Sequence, residues 1–225
     1  LFFTALFVLM TGYLVWFQAF KSREVINNSY NARIEAMENQ VIRGSILASD
    51  GQVLATTKVD ADGTEKRVYP FGCTFSHVLG YSEYGKTGIE SIGNFQLTTS
   101  NAYFVERFLN ELKEQKNIGD SLVTTLDVEL QTVTHDALGT NKGAVIVMKP
   151  STGDVLALVS EPDYDPSEIA QKWSSFSNSE DGVLLNRATQ GLYPPGSTFK
   201  MLTLLEYLRE HQMNASGFSF HCTGK

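Results

Sequence analysis

The segment Tyr193-Pro194-Pro195-Gly196-Ser197-Thr198-Phe199-Lys200 governs how the rest of this 225-residue sequence is interpreted. Its two prolines fix φ and exclude a helix interior, and the glycine after them permits a sharp turn before Ser197. Apolar residues then recur from Phe199 to Leu208, which predicts a helix from Ser197 to about His211. Because this helix is apolar on most sides, we expect it to be buried.

Ser197 and Lys200 form an S-x-x-K pair at the start of this predicted helix. Residues three apart share a helix face, so the lysine amine can reach the serine hydroxyl. Free backbone N–H groups at the helix N-terminus suit an oxyanion. A lysine whose pKa is lowered by burial can remove the serine proton and create a nucleophile. The alternative is that Ser197 only caps the helix and Lys200 is a solvated charge.

The composition argues against several other classes of protein. With 18 basic and 25 acidic residues, a formal net charge of −7 and no basic cluster, nucleic acid is a poor candidate partner. The two cysteines, Cys73 and Cys222, are too few for a disulfide-dense scaffold or a Cys-only zinc site. We expect both to be free and buried; the alternative is that Cys222 pairs with a cysteine beyond Lys225. The four histidines lack paired metal-ligand spacing, so we expect no metal and no cofactor.

The N-terminal run Leu1–Phe20 is almost entirely apolar and ends at Lys21 and Arg23. As a helix it would span about 30 Å, the thickness of the bilayer hydrocarbon. A cleaved signal peptide is the alternative, but its apolar core is shorter and a small-residue cleavage site is lacking near Phe20. We therefore predict a transmembrane anchor, followed by a helical stalk over Glu24–Gln40.

Short strands and turns follow the predicted stalk. Apolar pairs at Ile46-Leu47 and Val53-Leu54 flank Asp50-Gly51, which is a hairpin signal, and a second turn falls at Asp62-Gly63. The stretch Gly72–Gly93 is rich in Gly, Tyr and Ser and predicts loops. An amphipathic helix is predicted over residues 100–116.

A break at Gly119-Asp120 predicts a domain boundary. After it we predict a strand over Ser121–Leu126 and a helix that Asp127 caps and that ends before Gly139. The residues expected on the buried side of this helix are Leu130, Val133, Ala137 and Leu138.

The next stretch predicts two antiparallel strands, Ala144–Met148 and Val155–Val159, and a short helix around residues 166–176. Asp163 and Asp165, on either side of Tyr164, suggest a catalytic acid cluster, but the flanking prolines favour a turn.

Around Ser197 and Lys200, and in several segments before them, the sequence resembles a penicillin-binding protein. The segment from Tyr193 to Lys200 matches the nucleophile segment of that family residue for residue. Further segments resemble the family in the same order along the chain: Arg43-Gly44-Ser45-Ile46, Gly88-Ile89-Glu90, Thr124-Thr125-Leu126-Asp127, Gly143–Val147, Thr152–Ala157 and Asn186-Arg187-Ala188.

The resemblance implies an α+β fold in three parts. Residues 1–20 would be the transmembrane anchor, and residues 21–120 the stalk and a mostly β pedestal domain of the dimerisation type. Residues 121–225 would be the N-terminal part of a transpeptidase domain, in which helices cover an antiparallel sheet. The roughly 100 residues between anchor and transpeptidase part are too few for the glycosyltransferase domain of bifunctional relatives, which favours the monofunctional class B.

The resemblance also implies a peptidoglycan D,D-transpeptidase that is anchored in a bacterial cell membrane, with its catalytic domain outside the cytoplasm. Ser197 would attack stem peptides that end in D-Ala-D-Ala, Lys200 would be the candidate base, and β-lactams would acylate the same serine. Cell-wall synthesis proteins are candidate partners of the pedestal. The alternatives are a β-lactam sensor, a β-lactam hydrolase and a non-catalytic cell-wall scaffold.

Two family motifs, S-x-N and K-T-G, are missing after Lys200. Lys86-Thr87-Gly88 spells K-T-G, but it precedes the serine in the predicted pedestal, and we interpret it as a chance match. We therefore expect the sequence to be an N-terminal fragment of a longer protein, inactive as it stands.

Overall fold

The computed structural model describes residues 2–21, 41–101, 110, 116–211, 217, 219, 221 and 223. The predicted stalk, most of the predicted helix over residues 100–116, and Cys222 lie outside this set. The chain divides into two compact units, residues 1–190 and residues 191–225.

The first helix, α1 (Phe2–Phe20), confirms the predicted N-terminal helix. In the described part of the chain it is one helix that is long and apolar enough to cross a membrane, and none of its residues is buried. Length and composition of this kind also fit a signal sequence.

Short strands form two small sheets after the gap. A four-stranded sheet has the order β4-β3-β2-β6, in which β3 runs antiparallel to β2 and β4 while β6 runs parallel to β2. A second, two-stranded sheet pairs β1 with β5 in parallel. The strands are β1 (Val41–Ile42), β2 (Ile46–Leu47), β3 (Val53–Val59), β4 (Glu65–Val68), β5 (Asn117–Ile118) and β6 (Leu122–Val123).

Both predicted hairpin turns are present. The Ala48 N–H donates to the Gln52 carbonyl, and this hydrogen bond encloses three turn residues, the last of which, Gly51, adopts a φ of +87°. Gly63 adopts a φ of +84° in the β3–β4 turn. Glycine enters this left-handed region without the Cβ clash of other residues, which explains why the sequence signal was reliable.

The prediction of loops over residues 72–93 is wrong in part. A 3₁₀ helix (Gly72–Phe75) leads into α2 (Ser76–Leu79), and α3 (Gly88–Ile92) and α4 (Asn94–Leu97) follow. Helices of four or five residues complete too few turns to produce a hydrophobic period. A Cβ on Gly80 would lie 2.1 Å from the Thr87 carbonyl oxygen, so these two backbone segments are in direct contact.

The second half of this unit contains the predicted antiparallel pair, β7 (Gly143–Met148) and β8 (Val155–Glu161). Three helices accompany the pair: α5 (Val128–Leu138), α6 (Ile169–Ser177) and α7 (Arg187–Gln190). Asp127 caps α5 by accepting a hydrogen bond from the Leu130 N–H, as predicted, and a 3₁₀ helix (Pro166–Glu168) precedes α6.

The predicted buried side of α5 is wrong, since its buried residues are Gln131 and Thr134 while Val133 is exposed. The fully buried Gln131 side chain explains the difference. Its amide donates to the carbonyls of Thr74 and Leu158, at 2.7 and 2.8 Å, and its oxygen accepts from the Leu158 N–H. A side chain with all these hydrogen bonds can be buried without a desolvation penalty.

Residues 191–225 form the second unit. A 3₁₀ helix (Gly196–Phe199) leads directly into α8 (Lys200–Glu210), which confirms the predicted helix apart from the tighter geometry of its first turn. The expectation that this helix is buried is wrong, because none of its residues is buried and all except Tyr207 and Leu208 are exposed. Burial of an apolar helix face depends on a partner surface, which the local sequence pattern does not specify.

Candidate active site

Ser197 and Lys200 lie at the very start of the helical segment, with Ser197 inside the 3₁₀ helix and Lys200 as the first residue of α8. Gly196 adopts a φ of +55°, which redirects the chain after the two prolines. The Lys200 N–H then donates to the carbonyls of Ser197 and Thr198. The Thr198 hydroxyl donates to the Pro195 carbonyl at 2.5 Å, which adds a second local restraint to the turn. The backbone position of Ser197 is thus fixed by the turn at Gly196 and by the hydrogen bonds of Thr198 and Lys200.

Both side chains are exposed, and no hydrogen bond joins the Ser197 hydroxyl to the Lys200 amine within this described stretch. Catalytic hydrogen bonds are often formed only in the substrate complex, so the spacing is still compatible with the predicted pair.

Glu90 is the centre of a buried ion-pair network in the first unit. Its carboxylate accepts hydrogen bonds from Arg43 Nε at 2.7 Å and from Arg67 Nε at 2.8 Å, and its side chain is 0% exposed. Arg43 also donates to the Asn94 side-chain oxygen, and Arg67 donates to the Gly44 carbonyl. Through these ion pairs and hydrogen bonds, the network joins three segments that are far apart in sequence.

A cavity of about 490 Å³ lies between the α2–α3 region and the segment that follows β8. Its lining includes His77, Ile89, Tyr164 and Asn186, together with the Lys86-Thr87-Gly88 triplet. Lys86 and Thr87 belong to no strand, and Gly88 begins α3, so this triplet lacks the strand that a substrate-binding K-T-G motif requires. Its interpretation as a chance match agrees with this geometry.

Three metal-ligating side chains meet where α5 and β8 end. His135 Nε2 lies 2.9 Å from Asp163 Oδ2 and 3.4 Å from Glu161 Oε1. The Asp163 N–H donates to the other oxygen of Glu161 at 3.1 Å. Asp163 therefore belongs to this cluster, while Asp165 caps the following 3₁₀ helix, as a turn residue does. Spacing along the chain gave no signal for this cluster.

The environment of the cluster changes the pKa of its groups. Burial raises the pKa of Glu161, and the nearby negative charge of Asp163 raises it further. Burial lowers the pKa of His135, but its hydrogen bond to Asp163 and the charges of Asp163 and Glu161 outweigh this, and its pKa is raised. Burial and nearby carboxylates, Asp163 and Glu161 among them, raise the pKa of the half-buried, free Cys73 thiol to about 11.

Comparison with known families assigns both halves of the chain. Residues 43–122 match the penicillin binding protein A dimerisation domain, and residues 143–220 match the penicillin binding protein transpeptidase domain. The chain belongs to the penicillin-binding proteins. The motif resemblances at residues 43–46 and 88–90 fall in the first match, and the S-x-x-K segment falls in the second.

Similar proteins of known function are longer than this chain. PbpA, a peptidoglycan D,D-transpeptidase of Mycobacterium tuberculosis, is 34% identical over 217 residues, which cover 88% of this chain and 44% of PbpA. MrdA, a peptidoglycan D,D-transpeptidase of Escherichia coli (strain K12), is 33% identical over 180 residues, which cover 63% of this chain and 28% of MrdA. The chain therefore spans less than half the length of these penicillin-binding proteins.

Solved structures show the same fold. Penicillin-binding protein A from M. tuberculosis, in its imipenem acyl-enzyme complex, matches with a TM-score of 0.67 and 33% identity over 77% of this chain and 43% of that structure. Its penicillin G acyl-enzyme complex matches with a TM-score of 0.66 and 32% identity over 76% of this chain and 43% of that structure. The α+β assignment, with an apolar N-terminal helix, a dimerisation domain and part of a transpeptidase domain, is confirmed.

Sequence reasoning missed the structural roles of Arg67, Gln131 and His135. Arg43 and Glu90 were noticed as separate motif residues, but nothing in the sequence showed that they bind each other across 47 positions. A buried glutamine and a lone histidine also carry no distinctive local pattern, so only the fold could reveal their partners.

Proposed function

We propose that this chain is the N-terminal part of a monofunctional peptidoglycan D,D-transpeptidase, with Ser197 as nucleophile and Lys200 as its general base. The observation that carries the proposal is the transpeptidase family match over residues 143–220, which contains the complete S-x-x-K segment. The exposed position of Ser197 after a constrained turn supports it, because an acylating serine must be accessible to a peptide.

The proposed reaction has two steps. Ser197 Oγ attacks the carbonyl carbon of the penultimate D-alanine of a stem peptide, and Lys200 accepts the hydroxyl proton. The bond to the terminal D-alanine breaks, and the leaving amine takes up a proton. An amine of a neighbouring stem peptide then attacks the acyl-enzyme ester, which forms the cross-link and restores the serine. The Ser197 N–H would contribute to the oxyanion hole.

β-Lactams would acylate Ser197 in place of the stem peptide. Support comes from the matching penicillin-binding protein A structures, which are acyl-enzyme complexes with imipenem and with penicillin G. The S-x-N and K-T-G groups that complete such a site would come from sequence outside this chain. Docking against that sequence would also bury the apolar side chains that α8 exposes.

We further propose the domain arrangement that the sequence predicts, with an anchor over residues 1–20, stalk and pedestal over 21–120, and transpeptidase residues from 121 onward. The helix α1 would hold the protein in the cell membrane as a single span, with the catalytic part outside the cytoplasm. The pedestal would offer a surface to other cell-wall synthesis proteins.

The experiment treats the full-length protein in detergent with a fluorescent penicillin and locates the adduct by mass spectrometry of its peptides. We expect a stable adduct on Ser197, its loss in Ser197→Ala, and acylation slowed by about 100-fold or more in Lys200→Arg. Ser174→Ala, which removes an exposed hydroxyl on α6, is the matched control and should label like the unchanged protein.

A folded protein that gains no adduct, or that is labelled equally in Ser197→Ala, would contradict the proposal and favour a non-catalytic scaffold. A stable adduct without turnover of a D-Ala-D-Ala stem peptide would instead indicate a β-lactam sensor. Rapid release of hydrolysed penicillin would indicate a β-lactam hydrolase.

A further inference from the structure

The cluster of His135, Glu161 and Asp163 lies outside the proposed catalytic machinery and has the composition of a metal site. Their donor atoms, one imidazole nitrogen and two carboxylate oxygens, all lie within 4.8 Å of one another. Ligand atoms around a tetrahedral zinc ion are about 3.3 Å apart, given bonds of about 2.0–2.1 Å. The 2.9 and 3.4 Å separations from His135 Nε2 bracket this value.

The positive charge within the cluster is insufficient for its two carboxylates. Glu161 is 7% exposed, and its carboxylate shares the single His135 Nε2 with Asp163. Arg187 is a further cation that acts on Glu161, but its guanidinium donates to the carbonyls of Gly182, Leu185 and Asp181. A buried carboxylate is costly unless a cation compensates it, and a divalent ion would compensate both carboxylates at once.

The groups around the cluster are arranged to orient the ligands. The Asp163 N–H holds Oε2 of Glu161, which leaves Oε1 directed at His135. Asp136 Oδ1 lies 3.6 Å from His135 Nδ1, where it favours the tautomer that carries its proton on Nδ1 and leaves Nε2 free to bind a metal.

The backbone that carries the ligands is fixed before any ion binds. Gln131 lies one helical turn before His135, and its side chain makes two hydrogen bonds with the Leu158 backbone, three residues before Glu161. These bonds set the separation of α5 and β8 next to the cluster. His135 and Asp163 keep 24% and 23% of their side chains exposed, so an ion and a completing water have access from solvent.

We propose that His135, Glu161 and Asp163 bind a divalent transition metal ion, with zinc as the preferred ion. A set of one nitrogen and two oxygens suits zinc, whereas calcium and magnesium prefer ligand sets made of oxygen alone. The bound ion would join the end of α5 to the segment after β8. That segment contacts α2, since Tyr164 Oη donates to the Ser76 carbonyl and the Pro162 carbonyl accepts from His77. The site would therefore stabilise the junction of these segments, independently of any peptidoglycan chemistry.

The test titrates zinc chloride into the intact, chelator-stripped protein in detergent near neutral pH, with isothermal calorimetry and thermal unfolding as readouts. We expect zinc to bind and to raise the unfolding temperature, with magnesium giving no such increase. His135→Gln removes the imidazole nitrogen, and Asp163→Asn replaces an anionic ligand by a neutral amide. Each should weaken this binding by about 100-fold or more, since even indirect partners of a ligand contribute 10- to 100-fold. Glu129→Gln, an exposed acid on the same helix, is the matched control and should bind zinc like the unchanged protein.

Circular dichroism in the presence of chelator checks that each variant is folded. If His135→Gln does not fold, the zinc affinity of Asp163→Asn is the deciding measurement. Zinc affinity that is equal in the unchanged protein and in a folded ligand variant would overturn the proposal, because the ion would then bind elsewhere. Absence of any zinc effect on the unchanged protein would overturn it as well.

Discussion

Glu90 and Glu161 are both buried carboxylates, but their surroundings compensate their charges differently. Two guanidinium groups, from Arg43 and Arg67, donate to Glu90 at 2.7 and 2.8 Å. Glu161 instead shares one imidazole nitrogen with Asp163, and burial raises its pKa. A buried carboxylate that has enough cationic donors holds its neighbours in a single arrangement, whereas negative charge that lacks a matching cation marks a place where a cation can bind.

The largest expected effect follows from removing the Glu90 carboxylate from its ion pairs with Arg43 and Arg67. Glu90→Gln leaves two buried guanidinium groups without their carboxylate, and we expect the free energy of unfolding to fall by about 3–5 kcal/mol. Urea unfolding of the intact protein in detergent, followed by circular dichroism, measures the change. The matched control is Glu65→Gln, which removes a partly exposed carboxylate 2.6 Å from the exposed Lys116 ammonium and should cost no more than about 1 kcal/mol. Equal losses in the two variants would contradict this account of Glu90.

A pH-dependent effect of intermediate size is expected at His77, a buried group whose hydrogen-bond partner is neutral. Its Nε2 lies 3.0 Å from the Pro162 carbonyl, which can only accept, so Nε2 carries the proton. Burial lowers the pKa of His77 below its ordinary value of 6.5. The unfolded chain therefore binds a proton more readily than the folded one. The contribution of neutral His77 to the free energy of unfolding is fully present above pH 6.5 and is lost as the pH decreases toward the folded pKa.

One proton limits this slope to about 1.4 kcal/mol per pH unit. His77→Gln retains a donor for the Pro162 carbonyl but cannot titrate. Urea unfolding at a series of pH values below 6.5, with chelator present, should therefore show a shallower loss of stability in the variant. Parallel curves for the two proteins would show that His77 is not the group responsible.

The smallest effect, and one of opposite sign, is expected at Glu161 itself. Without metal, Glu161→Gln removes one of two adjacent negative charges and keeps an oxygen that accepts from the Asp163 N–H. We expect the free energy of unfolding to stay within about 1 kcal/mol of the unchanged protein or to rise, in contrast to Glu90→Gln. Urea unfolding in chelator tests the contrast. A loss as large as that of Glu90→Gln would mean that His135 compensates Glu161 fully.

Several features were predictable because their signal resides in a few neighbouring residues. Asp50-Gly51 and Asp62-Gly63 specify turns through the freedom of glycine at positive φ, and Asp127 caps α5 through a hydrogen bond to the Leu130 N–H. Helices of four residues and the exposure of α8 were not predictable in this way. Helices of four residues are too short to show a hydrophobic period, and the exposure of α8 depends on what surrounds that helix.

The sequence by itself determined the apolar helix α1, the β7–β8 pair, and the prolines and glycine that turn the chain just before Ser197. It also carried the family resemblance that comparison confirmed, although the catalytic roles of Ser197 and Lys200 stay predictions. Only the tertiary structure brought Glu90 to Arg43 across 47 positions and His135 to Asp163 across 28. Local signals depend on backbone preferences of adjacent residues, whereas a buried charge acquires its partner only when distant segments fold against each other.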